Sequence, residues 1–193
     1  MKILARLFSF WIPFPKFRKR FRDILEYIFL CSPFFNIYVI NTHLKAKKCG
    51  IHLRIGGKTK INGASYLGNY NSFNGIRVIG AGKFITGNHV QCGQEILVLT
   101  QNHNYESTHI PYGYDVVKKD VIIDSFVWIG SRVTLLPGTH IGEGAIIQGG
   151  SVVHGQIPPY SIAGGNPAKV FKQRNIEHFE KLKKEKMFYI TKN

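Results

Sequence analysis

Residues 123–153 read IDSFVWIGSRVTLLPGTHIGEGAIIQGGSVV, with a large apolar residue at every sixth position: Ile123, Ile129, Leu135, Ile141, Ile147 and Val153. Stepping by six from Ile55 gives Ile61, Leu67, Phe73, Ile79, Ile85, Gln91 and Leu97. Thirteen of these fourteen positions are large and apolar, and Gln91 is the exception; a strand alternates at two and a helix turns at about 3.6, so neither singles out every sixth position. Four residues after many of these positions comes a small or β-branched residue, as at Thr59, Ser65, Val127, Val133, Thr139, Ala145 and Ser151. Gly, Asn or Asp often follows the large residue directly. Each six-residue unit therefore predicts a short strand and a bend, with the large residue inside, a small one beside it, and a residue tolerant of positive φ at the corner.

Through Ile129-Gly130-Ser131-Arg132-Val133, Ile141-Gly142-Glu143-Gly144-Ala145 and Ile147-Gln148-Gly149-Gly150-Ser151-Val152-Val153, the chain resembles the hexapeptide-repeat acyltransferases. Those include the sugar, galactoside and maltose O-acetyltransferases and the acetyltransferases of polysaccharide biosynthesis. The resemblance covers about residues 50–175. It implies an all-β chain folded as a left-handed parallel β-helix of about five coils, three hexapeptides to a coil, with one extruded loop and helical attachments at both ends. The handedness comes from the resemblance alone, since parallel crossovers are otherwise right-handed. Three segments are expected: a basic, aromatic, partly helical stretch at 1–50, the β-helix at 51–170, and a basic helix at 171–193.

The step of 26 from Leu97 to Ile123 is not a multiple of six, so a loop leaves the helix between about Thr100 and Asp120. It holds Gln101-Asn102-His103-Asn104-Tyr105 and, further on, His109, Tyr112 and Tyr114. Irregular polar excursions from a regular scaffold commonly carry function. In the resembled O-acetyltransferases a similar loop begins with the catalytic histidine, and the match falls on His103. The chemistry agrees: a sugar hydroxyl needs a base to attack a thioester at neutral pH, and imidazole is poised there. His109 has no such match and reads as a loop-packing residue. Glu106 or Asp115 could orient His103, and the sequence does not choose between them. Asn74 precedes His103 by 29 residues, the spacing of an acceptor-binding Asn in the galactoside enzymes, although Asn is also a common turn former.

Val127-Trp128-Ile129-Gly130-Ser131 and Gly164-Gly165-Asn166-Pro167-Ala168-Lys169-Val170 are the most specific local matches. By resemblance they bracket the wall on which acetyl-CoA, the acyl donor, lays its pantetheine arm. Small residues there let a thin, amide-bearing chain approach the backbone. The match places Trp128, Ser131, Gly149 and His154 along the arm, with Lys169 and Lys172 toward the nucleotide phosphates. Family members often carry Arg near Lys169 and Thr-Lys at His154-Gly155, so the phosphate contacts depart from the pattern. No metal is expected.

The formal charge is +15, from 26 Lys and Arg against 11 Asp and Glu, and its excess lies in the ends. Residues 1–48 hold 10 basic and 2 acidic side chains, residues 169–193 hold 8 and 3, and the stretch between holds 8 and 6. No nucleic-acid motif accompanies the charge, so no nucleic-acid partner is expected. Cys31, Cys49 and Cys92 form neither a metal spacing nor an even disulfide set, which fits a reducing compartment. The apolar and basic start runs into Pro13-Phe14-Pro15 and the cationic run to Arg22 with no small-residue cleavage site. A cytoplasmic chain is expected. The uncharged run Tyr27–Leu44 contains Ser32, Pro33, Asn36, Asn41 and His43, which argue against a spanning helix. Phe17, Phe21, Ile24, Leu25 and Ile28 fall at helical spacing beside Lys16, Arg18, Lys19, Arg20 and Arg22. This pattern fits a helix lying on an anionic inner leaflet and equally a helix packed on the body. Asn175–Tyr189 reads as a short basic helix through Ile176, Phe179 and Leu182 that closes the last coil.

The leading expectation is an O-acyltransferase acting on a sugar or surface-glycan hydroxyl, assembled as a homotrimer with His103 of one chain facing the coenzyme wall of another. Two alternatives stand beside it: a γ-type carbonic anhydrase-like zinc enzyme using His103 and His109, which needs a third convergent ligand, and a non-catalytic membrane-peripheral scaffold.

Overall fold

Three strands alternate in strict rotation along the chain, each too short to make a sheet by itself. The structure is a computed structural model and describes residues 37–189. The first sheet stacks β1 (Lys48–Cys49), β3 (Ser65–Leu67), β6 (Phe84–Thr86), β11 (Val121–Ile123), β14 (His140–Ile141) and β17 (Gln156–Ile157). The second stacks β2 (Arg54–Ile55), β4 (Ser72–Phe73), β7 (Gln91–Cys92), β12 (Trp128–Ile129), β15 (Ile146–Ile147) and β18 (Ser161–Gly165). The third stacks β5 (Ile76–Ile79), β8 (Ile96–Leu99), β13 (Thr134–Leu135) and β16 (Val152–Val153), and Lys60 bridges to Arg77 below them. All of these pairings are parallel. The chain therefore winds as a three-sided β-helix whose neighbouring coils lie about 4.8 Å apart. Two faces carry six rungs because winding already begins at Lys48, ahead of the first apolar step at Ile55.

The interior is a narrow column filled by two residues per strand. Ile129, Leu135, Ile141, Ile147 and Val153 are buried, and so are the expected small partners Val127, Val133, Thr139, Ala145 and Ser151. Between Phe73 and Phe84 the phase shifts. Phe73 pairs with Cys92 and Ile129 with Ile147, so one turn takes 19 residues where the other takes 18. One extra residue moves the inward set to Phe84 and Thr86, Val90 and Cys92, and Ile96 and Val98, all buried. Ile79, Ile85, Gln91 and Leu97, which the six-step count assigned to the core, lie on the outside, because a slip of one residue exchanges the faces of a strand.

Corners are held by polar ladders. The Asn71 amide, 1% exposed, donates to Gly68 O, Thr86 Oγ1 and Gly87 O, and its oxygen accepts from Val90 N. At the edge between the first and second faces, His52, Tyr70, His89 and Phe126 all take φ of 56–61°. Their rings stack at 4.8–5.1 Å, with planes within 12° of parallel.

Two helices attach. Helix α1 (Ile37–Lys45) occupies the end of the uncharged run Tyr27–Leu44 and buries Val39, Thr42 and His43 against the first coil. The basic segment 16–28, with its expected helix, lies outside the described residues. At the other end, β19 (Ala168–Gln173) pairs antiparallel with β18 and covers its free edge. Helix α2 (Ile176–Lys184) is capped by Asn175, whose side chain accepts from His178 N at 2.9 Å. The expectation that this helix closes the last coil is corrected: it folds back along the side. Phe179 packs on Tyr160 and Phe126 over Gly144, Lys183 reaches Glu143 at 2.8 Å, and Phe188 meets His89 and Phe126. The ring ladder offers it an apolar edge, while β19 already satisfies the backbone of the final strand.

Candidate active site

The excursion is a hairpin, not a free loop. β9 (Gln101–His103) and β10 (Val116–Lys118) pair antiparallel, with His103 opposite Val116. Both stems rest on Gly82 of the coil below: a Cβ there would lie 2.5 Å from Thr100 O and 3.0 Å from Lys119 O. Asp120 secures the return, accepting from Lys83 N at 2.8 Å and facing its ammonium at 3.8 Å.

His103 stands exposed at the end of β9, its ring stacked on Tyr112 with centroids 3.9 Å apart and planes 20° from parallel. The two acidic candidates for orienting it are placed differently. The Asp115 carboxylate accepts from Asn104 Nδ2 and Ser107 Oγ. These bonds, the Ser107 one first, hold its acid below the usual carboxylate range. Glu106 donates its backbone N–H to Asn104 Oδ1. Asp115 thus ties Asn104 and Ser107 together at the root of the loop, and the ring contact to His103 comes from Tyr112. No period or motif in the sequence singled out Tyr112 for this contact. His109 bonds Thr108 Oγ1 and packs edge-on to Tyr114. Among the described residues no three His, Cys, Asp or Glu side chains converge as a metal site.

The remaining candidates fall on different edges of the prism. Asn74, Ser131 and Gly149 follow strands of the second face and precede strands of the third, so they line one edge. Ser131 Oγ accepts from Gln94 N, and Ser131 O accepts from Gly150 N. Gly164, paired with Lys169 across β18 and β19, lies over Gln148 at the top of this edge. Lys169 and Lys172 are exposed on β19. The expected run of Ser131, Gly149 and His154 is divided: His154 lies on the next edge, between the third and first faces, from which the His103 hairpin also departs. Glycines on the first edge serve the stacking itself, since a Cβ at Gly93 or Gly130 would come within 2.6 Å of backbone nitrogen on the next coil.

Trp128 faces outward on the second face, 57% exposed. It borders a cleft of about 270 Å³ between the ring ladder and α2, lined also by His89, Gln91, Phe126, Arg174 and Phe188.

Residues 120–155 match the family model for the bacterial transferase hexapeptide, six repeats. These residues carry the bacterial transferase hexapeptide repeat. Along this repeat protein, 163 residues are 28% identical to the galactoside O-acetyltransferase of Lactococcus lactis subsp. lactis (strain IL1403), covering 84% of the chain and 68% of the relative. A shorter stretch of 57 residues is 53% identical to a probable macrolide acetyltransferase of Lysinibacillus sphaericus, covering 30% of the chain and 32% of that protein. In most of the curated relatives it matches, the chain spans about a third of their length. A solved galactoside acetyltransferase in complex with coenzyme A superposes with a TM-score of 0.64 at 23% identity, covering 83% of each chain. That likeness is one of fold, the left-handed parallel β-helix.

Proposed function

We propose that the chain is an O-acyltransferase that moves an acetyl or similar group from acyl-CoA to a hydroxyl of a sugar or surface-glycan unit, with His103 as general base. The observation that carries this reading is the hairpin. A regular hexapeptide prism interrupts itself to present an exposed imidazole, held by a ring contact with Tyr112 above a loop root closed by Asp115. The relatives' names supply the reaction class, and the acceptor class follows from the galactoside enzyme, which spans most of the chain.

In this reaction His103 takes the proton of the acceptor hydroxyl as its oxygen bonds to the thioester carbonyl carbon. The tetrahedral intermediate collapses, the carbon–sulfur bond breaks, and the imidazolium returns the proton to the departing thiolate. Ser131 and Gly149 form the narrow wall for the pantetheine arm, Trp128 flanks it, Lys169 and Lys172 meet the nucleotide phosphates, and Asn74 contacts the acceptor. His154 stands nearer the hairpin's own edge.

His103 and the Ser131–Gly149 edge lie on opposite sides of the third face, so a site joining them draws the two from different protomers. A homotrimer with His103 of one protomer against the Ser131 edge of the next meets that requirement. It also covers Ile110 and Tyr114, which are 97% and 93% exposed in the single chain. A cytoplasmic location fits an acyl-CoA donor, and among the described residues no helix is long and apolar enough to cross a membrane. Release of free thiol from acetyl-CoA across a panel of sugar acceptors tests the reading. Acceptor-dependent release that falls about 10²- to 10⁴-fold in His103→Ala supports it; release undiminished in the variant removes His103 as base.

A further inference from the structure

From Ile37 to Gln94 the sequence has no Asp or Glu, yet it has Lys45, Lys47, Lys48, Arg54, Lys58, Lys60, Arg77 and Lys83. Six of these cations belong to one end of the prism, and all six are exposed. Lys47 and Lys48 lie at the first face, Arg54 on the second, Lys58 at the following corner and Lys60 on the third, with Lys45 at the end of α1. They ring the terminal coil. A rod-shaped anion along one side would meet one face of that ring, whereas a planar anionic surface lying across the end meets all of it.

The same end exposes apolar side chains among the cations: Ile37 at 50%, Leu44 at 46% and Ile51 at 58%. Between α1 and the first coil lies a hollow of about 550 Å³ lined by Tyr38, Asn41, Lys45, Lys58 and Lys60, wide enough for a phosphate headgroup. Exposed lysines interleaved with Ile and Leu are what an interfacial surface needs, cations for headgroups and short apolar anchors for the acyl boundary. Residues 1–36, which precede α1 in the sequence, hold a further run of cations and aromatics.

We infer that the N-terminal end of the β-helix is a docking face for an anionic phospholipid surface, with the prism axis standing away from the membrane. The inference is independent of the acyl-transfer reading, and its test reads no activity. The full chain is sedimented at low salt with vesicles of phosphatidylglycerol and phosphatidylcholine, or of phosphatidylcholine alone. Binding appears with the anionic vesicles only and weakens with salt. Changing Lys45, Lys58 and Lys60 together to Gln lowers partitioning about a hundredfold, at about fivefold per charge. Changing Lys47, Lys48 and Arg54 to Gln, on the other two faces of the same coil, costs the same. Changing Lys181, Lys184 and Lys186 to Gln, an equal loss of charge at α2 and its C-terminal flank, costs less than about fivefold. All these side chains are exposed, and unchanged thermal unfolding confirms that the variants fold. Equal losses from all three triples would reduce the effect to net charge and overturn the face. So would loss from only one of the two N-terminal triples, binding to phosphatidylcholine alone, or capture by heparin without capture by anionic vesicles.

Discussion

Gly82→Ala places a methyl group where the two stems of the His103 hairpin meet the coil beneath. The new Cβ would lie 2.5 Å from Thr100 O, and ordinary contact begins at 3.4 Å, so the stem must move by about 0.9 Å or the coil must yield by as much. Neither side is a flexible side-chain end: Thr100 is itself buried, and Gly82 O is held by Asn62 Nδ2 at 2.9 Å. Overpacking of this kind costs about 1–3 kcal/mol, which in a chain of this length lowers the melting temperature by roughly 2–12 °C. A displacement near 1 Å at the root of the loop that carries the base lowers kcat/KM by up to about a hundredfold. Gly150→Ala is the control. Nothing lies within 4 Å of its Cβ position, but φ is +74°, so it costs about 1 kcal/mol of backbone strain and leaves the hairpin in place. Thermal unfolding and thiol release are measured on both variants. A Gly82→Ala protein that melts with wild type and keeps wild-type kcat/KM refutes the idea that this contact seats the hairpin.

Asn71→Ala removes an amide that bonds three backbone groups on two neighbouring coils and leaves Val90 N–H without its acceptor. Urea unfolding reads a loss of about 3 kcal/mol, and a loss below about 1 kcal/mol contradicts the ladder. Burial keeps the His89 imidazole below its ordinary range of 6.5, so the unfolded chain binds a proton that the folded chain resists. Stability is therefore full above pH 6.5 and declines as the pH falls below it. His89→Phe flattens the urea midpoint between pH 7 and 5, and an identical decline in the variant assigns the effect elsewhere. Burial pushes the Cys92 thiol up to about 12, so iodoacetamide at pH 8 leaves Cys92 unmodified in native protein and labels it in urea. Rapid native labelling disagrees with a closed column.

The coil geometry was legible because the interior admits only two side chains per strand, so Ile129, Leu135, Ile141 and Ile147 had to recur at six. The phase shift after Phe73 was hidden by Ile79, Ile85 and Leu97, which are apolar although they face outward on half-covered sheets. Gln91, the one polar residue in the count, was the mark of it: Val90 and Cys92 on either side are the buried pair. The length of the excursion was visible as a broken period, and the hairpin pairing within it was not, since three residues per strand carry too little alternation. The Tyr112 stack on His103 crosses nine positions of irregular chain that no spacing rule links. The C-terminal helix was legible from Ile176, Phe179 and Leu182, but its resting place depends on the ring ladder, whose members lie 18, 19 and 37 residues apart in sequence.

Coenzyme A soaked into crystals of the assembled protein tests the central claim most directly. The account predicts its sulfur on the Ser131–Gly149 edge of one protomer and within roughly 5 Å of the His103 ring of the next, close enough for the imidazole to serve an attacking hydroxyl. A sulfur seated on another face, or one with no His103 from any protomer near it, contradicts the account.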